Sequence, residues 1–536
     1  MPPKLAVWHH ADMDAALPPL IQALLDPQRY AHTVPEVELV QTHISWVLLA
    51  GEFAYKIKKP LHLPFLDFST LAKRKAACLD ELRLNRRYAP ELYLDVVALF
   101  NSEQDPRFDG PGEAIEYAVR MRRFDEAGRL DRVCARGELR PAHLSALAAT
   151  LTAFHEAAAR ATPATRFGST SAILAPALEN FDELMQVSTV LGLPERLQWL
   201  RSWTQAQHQR LTALMHARKQ AGLVRECHGD LHLANLVLIG EQVQMFDCIE
   251  FNEDLRWIDV TSDIAFPYVD LLARKQGGLA NWFVNEVLSH SGDYEAVALL
   301  RFYAVYRALV RAKVASLRLL QLAGDASEVL AYVALAERLA APPPARLVIT
   351  HGLSGCGKTS ATNERLQNDP NASTLRLRSD VERKRLAGLS STAPSGSPLD
   401  GGIYSAAAQQ HTYTRLHTLA GLLLRAGWSV IVDATFLKRS ERDAFRALAQ
   451  DLGLAFEILA PQASADQLRQ RIQARSASIA LSGVSIAHSS TNSRHLADQS
   501  WSMAGRWQWM PSMKPAPSAA GPSTWTRVRR KPSGVS

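Results

Sequence analysis

The segment 228–235, which reads HGDLHLAN, carries side chains suited to phosphoryl transfer. Asp230 can accept the proton of an attacking hydroxyl group. Asn235, and Asp247 twelve residues further along, supply oxygen atoms of the kind that Mg²⁺ prefers as ligands. The residues between them read as a β-hairpin with its turn at residues 240–241, which would place both ligands at its open end. Spacing and residue type together predict a metal-holding cleft.

His228, Asp230, His232 and Asn235 match the pattern His-Gly-Asp-x-His-x-x-Asn. The segment therefore resembles the catalytic loop of the aminoglycoside phosphotransferase-like kinases. This resemblance implies that Asp230 is the catalytic base and that Asn235 and Asp247 bind Mg²⁺. Two alternatives stay open: a polar hairpin turn, in which Asp and Asn serve turn chemistry, and a kinase fold without catalytic activity.

Three strands are predicted before this segment, at residues 37–40, 46–50 and 53–57. The third contains Lys56 and resembles the kinase strand whose lysine contacts the α- and β-phosphates of the nucleotide. Strand alternation puts Lys58 on the same face, so Lys58 is a second candidate. The connection between the first two strands has no glycine, so the sequence does not predict a glycine-rich phosphate flap.

An acidic residue on the following helix is expected to hold this lysine toward the phosphates. That helix is predicted from about residue 70 to 87, with Ser69 as its cap. Glu81 is favoured over Asp80 because leucines flank it on the expected inner face. The alternative is an exposed pair of charges on the helix surface.

Strands at residues 92–100 and 114–121 are predicted to lead to a segment, 121–124, that links two lobes and would bind adenine through its backbone. Residues 141–218 have a helical pattern, and His155 within them is interpreted as a structural histidine. The resemblance further implies that Asp263 braces the catalytic loop.

Asp259 is expected to support the same region from further away, without a catalytic role. A predicted amphipathic helix at residues 299–322 presents either a solvated charged face or a site for an anionic substrate. Its relevant side chains are Tyr303, Tyr306, Arg307, Arg311 and Lys313.

A second nucleotide site is predicted after a proline-rich linker. A strand at residues 346–350 runs into GLSGCGKT at 352–359, which opens a helix. This is the P-loop pattern in its strand–loop–helix context, where backbone N–H groups surround phosphate oxygens. Lys358 would contact the β- and γ-phosphates, and Thr359 would bind Mg²⁺. The predicted nucleotide-binding residues are Gly352, Ser354, Gly355, Cys356, Gly357, Lys358 and Thr359.

The next elements resemble those of small P-loop kinases of the zeta-toxin and polynucleotide-kinase type. The resemblance implies that Asp380, after a strand at 374–377, is the base for a substrate hydroxyl. It also implies that Asp433, at the end of a buried-type strand at 428–433, orients Mg²⁺. Arg442 would neutralise charge on the nucleotide, with a surface charge as the alternative reading. Arg471 and Arg475 are further candidates for charge neutralisation.

Residues 477–536 contain seven Lys or Arg and one Asp, so this tail supplies +6 of the net charge of +7. Its composition predicts a disordered or aberrant tail, as a frameshifted reading would give. A basic, aromatic tail that contacts nucleic acid is the alternative. The remaining chain is almost neutral, which gives little reason to expect nucleic-acid binding there.

At 536 residues the chain is too long for one core, and its 47% apolar and 21% charged residues are typical of globular proteins. The cysteines show no CxxC pair, which suits a reducing compartment. No apolar run approaches the roughly 20 residues that span a bilayer, and no signal peptide stands out. A cytoplasmic protein without a membrane partner is predicted.

The predicted fold class is an α+β two-lobed, protein-kinase-like domain followed by an α/β P-loop domain with a parallel sheet. The pairing resembles bacterial bifunctional phosphotransferase/ATP-binding proteins. Each domain is expected to use ATP and Mg²⁺ to phosphorylate a hydroxyl of a small molecule. The alternatives are a regulatory nucleotide-binding protein and, for the second domain, a nucleic-acid 5′-hydroxyl kinase. The predicted boundaries are 1–335 for the kinase-like domain (lobes at about 30–121 and 125–335), 336–345 for the linker, 346–476 for the P-loop domain and 477–536 for the tail.

Overall fold

The structure is a computed structural model that describes residues 17–63, 66–322, 326–390, 393 and 402–463. Within these residues the chain forms two compact units. The first contains the chain up to Val287 together with Ala296–Ala340, and the second contains Leu288–Glu295 and the chain from Ala341 onward. The predicted tail and the end of the second domain with Arg471 and Arg475 lie outside the described residues. So do residues 12–16 of a helix that the sequence predicts over residues 12–26.

The first unit begins with α1 (Pro19–Ala23) and an antiparallel sheet that carries Lys56. The strands and the helix among them are β1 (Val37–Gln41), β2 (Ser45–Ala50), β3 (Phe53–Lys58), β4 (His62–Leu63), β5 (Leu66–Asp67), α2 (Leu71–Asn85), β6 (Tyr93–Asn101), β7 (Pro106–Arg107) and β8 (Glu116–Arg122). The main sheet has the order β1-β2-β3-β8-β6-β7, while β4 and β5 pair separately. The β1–β2 connection is held by the Thr42 hydroxyl, which accepts from the Ser45 amide at 2.9 Å.

Helix α2 packs against β8 and β6. Its cap differs from the prediction: Thr70 accepts a hydrogen bond from the Lys73 amide, whereas the Ser69 hydroxyl donates to Asp67. Leu79 is 49% exposed, so the leucine-based argument for an inner face was wrong, although Glu81 itself is fully buried. Glu81 is turned inward by two lysines of β3, a long-range contact that helical spacing does not show.

The remainder of the first unit is mainly helical. Its elements are α3 (Leu130–Ala135), α4 (Pro141–Ala157), α5 (Thr170–Leu191), α6 (Pro194–Gln220), β9 (Val224–Glu226), β10 (Leu236–Ile239), β11 (Gln242–Met245), α7 (Glu253–Arg256), β12 (Trp257–Asp259), α8 (Val260–Ala273), α9 (Gly277–Ser291), α10 (Val297–Leu322) and α11 (Ser327–Ala340). Strands β10 and β11 form the predicted hairpin, and β9 pairs with β12.

Helix α8 is buried on all sides, as its apolar sequence requires, and it packs against α10. The expectation of a solvated charged face on α10 is wrong for Arg307 and Arg311, which are 3% and 7% exposed. Both guanidinium groups lie over aromatic rings, Arg307 over Phe266 and Arg311 over Tyr332. In the part of the chain that the structure describes, no helix combines the length and apolar character needed to cross a bilayer.

The second unit is a parallel sheet with helices, as predicted. Its elements are β13 (Arg346–Thr350), α12 (Lys358–Gln367), β14 (Thr374–Arg378), α13 (Ser379–Leu386), α14 (Ala406–Arg425), β15 (Ser429–Asp433), α15 (Arg439–Asp451) and β16 (Ala455–Leu459). The strand order is β14-β15-β13-β16. Since the strands are parallel, their carboxyl ends share one edge, where ligands bind in folds of this type.

Candidate active sites

The β10–β11 hairpin brings the two predicted metal ligands to one end. Leu236 pairs with Met245, and the Phe246 amide donates to the Asn235 carbonyl at 3.0 Å. Asn235 therefore lies beside the residue that precedes Asp247. The geometry follows from two four-residue strands on either side of a Gly-containing turn, the first apolar and the second alternating polar and apolar residues, which fixes the register.

Asn235 also holds Asp230. Its Nδ2 donates to the Asp230 carbonyl at 2.9 Å and lies 3.4 Å from the Asp230 carboxylate. The amide nitrogen is thus committed to the loop, and the amide oxygen is the atom that can ligate a cation. The Asp230 side chain is 36% exposed, with His232 Nε2 at 3.4 Å, so a substrate can reach it.

Asp263 holds the catalytic loop by its backbone. Its carboxylate accepts from the Gly229 amide at 2.9 Å and from the His228 amide at 3.2 Å, and His155 Nε2 lies 3.0 Å from it. Burial would raise the pKa of Asp263, but the hydrogen bond and charge of His155 outweigh burial and lower that pKa to about 2. This is the brace that the sequence predicted, and His155 has the predicted structural role.

Gly229 needs its conformation for this contact. Its φ is +87°, and a β-carbon placed on it would lie 2.7 Å from the Leu255 carbonyl oxygen. Two further contacts, which the sequence did not reveal, fix the loop. His228 Nε2 lies 2.9 Å from the Phe246 carbonyl, and the Leu233 amide donates to Asp270 at 2.9 Å. Burial lowers the pKa of His228, so its ring stays neutral and contacts the Phe246 carbonyl as an uncharged group.

Lys56 joins the sheet to the hairpin. Its Nζ lies 2.8 Å from Glu81 and also contacts the carboxylate of Asp247. Burial alone would lower the pKa of Lys56, but the charges of Asp247 and Glu81 raise it well above its ordinary value. The ammonium is therefore permanently charged and lies at the end of the hairpin that carries Asn235 and Asp247.

Lys58 is completely buried and contacts both Glu81 and Glu250. Burial would lower its pKa, but these carboxylates raise it. Lys58 does not line the cleft described below, whereas Lys56 does, so the geometry favours Lys56 as the lysine that reaches phosphate. Sequence reasoning missed Glu250; the signal was an acidic residue three positions after Asp247 in an apolar segment.

Asp247 has a left-handed backbone conformation with φ +64°. A non-glycine residue is uncommon there and stays in place only when its surroundings hold it. Its amide donates to the Tyr93 hydroxyl at 3.0 Å, and its carboxylate pairs with Lys56. Burial would raise the pKa of Asp247, but Lys56 lowers it, so the carboxylate is ionised.

A cleft of about 750 Å³ lies beside Lys56 and Asp247. Its far wall is the predicted lobe linker, residues 121–124, and its floor includes Phe246. Apolar side chains of β1, β2 and β3 complete it: Val40, Val47, Leu49 and Ala54. An apolar slot with charged groups at one end suits a nucleotide, whose base is planar and whose phosphates are anionic.

The donor set fits Mg²⁺. Asn235 offers an amide oxygen and Asp247 an ionised carboxylate, and both are hard oxygen ligands beside a charged lysine. The predicted site residues Asp230, Asn235, Lys56 and Asp247 are thus brought into one region.

In the second unit, residues 352–359 join β13 to α12. Gly352, Gly355 and Gly357 all have positive φ values, which only glycine adopts readily. Successive residues in such conformations turn N–H groups toward a common point and form an anion-binding concavity. A β-carbon on Gly352 would lie 2.8 Å from Cys356 Sγ, so the buried cysteine also excludes a side chain there.

Thr359 and Asp433 meet at the sheet edge, with the Thr359 hydroxyl donating to Asp433 at 2.9 Å. Both are oxygen donors and fit the Mg²⁺ roles predicted for them. Lys358 Nζ lies 2.9 Å from the Gly352 carbonyl and 2.7 Å from the Leu353 carbonyl, so it curls over its own loop.

The other predicted residues of this unit are placed differently. Asp380 lies in the first turn of α13 and pairs with Lys384 at 3.3 Å. Arg442 donates to the carbonyls of Phe436 and Leu437 at 2.7 and 2.9 Å, so it supports the loop after β15. Ser354 is exposed at the P-loop.

Residues 65–281 match the Phosphotransferase enzyme family, and residues 347–491 match an AAA domain family. Uncharacterized protein Rv2004c of Mycobacterium tuberculosis H37Rv is 30% identical over 449 residues, covering 83% of this chain and 88% of that protein. Uncharacterized protein Mb2027c of Mycobacterium bovis matches to the same extent.

Two solved structures are similar to this chain at lower sequence identity. A choline/ethanolamine kinase family protein from Mesorhizobium loti has 13% identity and a TM-score of 0.36, covering 60% of this chain and 94% of its own. The Plasmodium vivax ethanolamine kinase Pv091845 has 10% identity and a TM-score of 0.33, covering 59% of this chain and 85% of its own.

Proposed function

This chain belongs to the same family as the mycobacterial proteins Rv2004c and Mb2027c, and from that premise we propose that its first unit is an ATP-dependent kinase for a hydroxyl group of a small molecule. The observation that carries the proposal is the contact of Lys56 with both Glu81 and Asp247, beside an Asp230 that is tied to Asn235. A lysine, its acidic partner, a metal-binding carboxylate and a candidate base form one constellation, as phosphoryl transfer requires.

In this proposal Asp230 accepts the proton of the acceptor hydroxyl while the hydroxyl oxygen of the acceptor forms a bond to the γ-phosphorus of ATP. The bond from the γ-phosphorus to the bridging oxygen breaks, and ADP leaves. Lys56 binds the α- and β-phosphates. Asn235 and Asp247 would hold Mg²⁺, which when bound neutralises phosphate charge. The Asp263 brace and the Asn235 amide keep Asp230 in place, so the protein acts mostly by positioning.

For the second unit we propose a separate Mg-ATP site formed by residues 352–359 with Thr359 and Asp433. The Thr359–Asp433 hydrogen bond supports it, because the P-loop hydroxyl and the acid at the end of the adjacent strand hold the metal in P-loop enzymes. Asp380 would be the base if this unit also transfers phosphate. Its pairing with Lys384, and the use of Arg442 to support a loop, favour nucleotide binding without transfer as the second candidate.

The test is a phosphorylation screen of a small-molecule pool with purified full-length protein and γ-labelled ATP. We expect Mg²⁺-dependent labelling by the wild type and its loss in Asp230→Asn. Transfer that persists unchanged in Asp230→Asn would refute the assignment of the first site. Labelling of a 5′-hydroxyl oligonucleotide that is lost in Lys358→Ala would instead identify a nucleic-acid kinase in the second unit.

A further inference from the structure

A second cavity of the first unit lies among α5, α10 and the segment from α7 to α8. Its empty space is about 450 Å³ when the open solvent at its mouth is counted. Its walls are aromatic, with Phe167 and Trp257 stacked at 5.3 Å between ring centres. Tyr303 and Tyr306 of α10 line the same space. None of these four residues lines the cleft beside Lys56.

Tyr303 presents a hydroxyl without a partner. The residue is 2% exposed, and within the described residues its hydroxyl makes no hydrogen bond. Leaving a buried hydroxyl unsatisfied is unfavourable, because the group has lost its hydrogen bonds to water without gaining new ones. Burial raises the pKa of Tyr303, so the group remains a protonated donor. A bound molecule with an acceptor oxygen would satisfy it.

Arg307 is a second donor in the same cavity. Its Nε donates to the Ser262 carbonyl at 3.3 Å, and its guanidinium lies 4.1 Å from the centre of the Phe266 ring. Among the residues that the structure describes, no carboxylate lies within ion-pairing distance of this buried group, and its two terminal nitrogens have no hydrogen-bond acceptor. A buried cation without a counterion calls for an anionic ligand.

The two carboxylates at the cavity are already neutralised. Asp259 pairs with Arg218 through two hydrogen bonds, at 2.8 and 3.0 Å. Asp254 pairs with Arg166 in the same two-pronged way, at 2.9 and 3.1 Å. The unpaired charge at the cavity is therefore positive, although both signs of charge line it.

The cavity borders the catalytic loop. Leu255 lines it, and the Leu255 carbonyl oxygen is the atom that a β-carbon on Gly229 would meet at 2.7 Å. Ser262, also at the cavity, directly precedes Asp263, whose carboxylate binds the Gly229 amide. Gly229 is the residue before Asp230, so one wall of this cavity contacts the loop that carries the proposed base.

We infer that this cavity binds the acceptor, and that the acceptor is a small ring-bearing hydroxyl compound with a carboxylate or other anionic group. The ring would lie against the aromatic walls, and the anionic group would accept from Arg307 and Tyr303. This inference rests on the proposed kinase function of the same unit. It excludes polycationic acceptors, because Arg307 repels them and the carboxylates are already paired.

Three matched probes test it: 4-(hydroxymethyl)benzoate, its methyl ester, and 4-(hydroxymethyl)benzylamine, which share the ring and the hydroxymethyl group and carry an anionic, a neutral and a cationic para substituent. Full-length protein carrying Lys358→Ala is assayed for transfer from ATP, so that the P-loop site does not contribute. We expect kcat/KM for the acid to exceed that for the ester and the amine at least about tenfold. Binding of each probe to Asp230→Asn is measured separately by thermal shift.

Tyr303→Phe is the diagnostic variant, because it removes a hydroxyl that has no partner and should fold normally. We expect it to raise KM for the acid about five- to tenfold, with kcat and the KM for the ester nearly unchanged. Tyr332→Phe, whose ring packs near Arg311 outside this cavity, is the matched control for the loss of a buried hydroxyl on a neighbouring helix. Arg307→Lys keeps the positive charge but removes the paired N–H donors of the guanidinium group. It therefore tests whether those donors bind the anionic group.

The outcomes separate the two proposals. If the acid binds Asp230→Asn and the wild type transfers phosphate to none of the probes, the cavity assignment stands and the kinase assignment is weakened. If the ester or the amine is phosphorylated as well as the acid, or Tyr303→Phe leaves KM for the acid unchanged, the inference about the acceptor is overturned and the kinase assignment stands.

Discussion

The two regions proposed to bind nucleotide hold their lysines by different means. Lys56 is held by Glu81 and Asp247, which are 25 and 191 positions away in the chain. Lys358 contacts carbonyls only six and five positions away. The first site therefore exists only when the sheet, α2 and the β10–β11 hairpin are all assembled. The second is largely a property of one loop, with Asp433 as its long-range partner.

This difference predicts how each region responds to damage. In a buried cluster of two lysines and three carboxylates, the ion pairs place each side chain precisely. Removing any one member leaves a buried charge without its partner. A loop that relies on backbone groups and glycine loses affinity when its lysine is removed, with little loss of stability. The largest expected effect is on catalysis, and the smaller ones are on folding, binding and acid response.

Asp230→Asn should lower the kcat of phosphoryl transfer by about 10²–10⁴-fold, the usual contribution of a general base. The asparagine keeps the size of the side chain and the backbone contact with Asn235, so ATP binding and unfolding should change little. Steady-state kinetics with the acceptor found in the screen measures this. A higher KM for ATP with an unchanged kcat would mean that Asp230 binds nucleotide instead.

Lys58→Met should lower the free energy of unfolding of the first unit by about 3–5 kcal/mol, because Glu250 is left buried without its lysine and Glu81 keeps only Lys56. Lys59→Met is the matched control: Lys59 is only partly buried and lies over Trp46, a contact that contributes about 1 kcal/mol or less. Denaturant unfolding compares them.

Adding Glu250→Gln to Lys58→Met should restore part of the lost stability, since it removes the buried charge that Lys58 no longer compensates. If Lys58→Met and Lys59→Met destabilise equally, the buried cluster does not hold the first site together, and the contrast between the two regions fails.

Lys358→Ala should weaken binding of a non-hydrolysable ATP analogue at the second site by about 1.5–3 kcal/mol, the range for hydrogen bonds to a charged group. Calorimetry of the full-length protein should then show one tight site per chain where the wild type shows two. Arg365→Ala, on the exposed side of the same helix, is the control. Two tight sites in Lys358→Ala would remove the P-loop from the proposal.

For the second site, the P-loop segment could be predicted from the sequence because its pattern is contiguous, whereas the contacts of Asp380 and Arg442 could not. The glycine positions in GLSGCGKT specify the backbone conformation of the loop, and the structure has positive φ at its three glycines. For the first site, the predictions included Asp230, Asn235 and Asp247 and two of the residues that hold the site, Glu81 and Asp263. Tyr93 and Asp270 were not predicted, because they act through contacts across the fold that no local spacing marks.

The charged residues of α10 show the same limit. A period of 3.6 residues correctly predicted a helix with Arg307 on one stripe, yet the stripe is buried against α8 and not solvated. A pattern along one helix reports which residues share a face. Whether that face meets water depends on the partner helix, and α8 is apolar enough to cover it.

The smallest expected effect is on the stability of the fold at low pH. The pKa of Asp263 is lowered to about 2 in the folded state, so this carboxylate stabilises the fold above about pH 4, and the contribution is lost as the pH falls through about 2. The shift corresponds to about 2 kcal/mol. Asp263→Asn should remove this part of the acid dependence, and Asp254→Asn, an exposed carboxylate, is its control.

Hydrogen exchange of the Gly229 amide, which donates to Asp263, reports the brace directly. Between pH 5 and pH 2.5, after correction for intrinsic exchange, protection of this amide should fall in the wild type and in Asp254→Asn. In Asp263→Asn it should be low throughout and change less with pH. Equal acid dependence in all three proteins would show that another group sets the response. The first site would then be held at the catalytic loop by the β10–β11 hairpin and the Lys56 cluster, without the brace from α8.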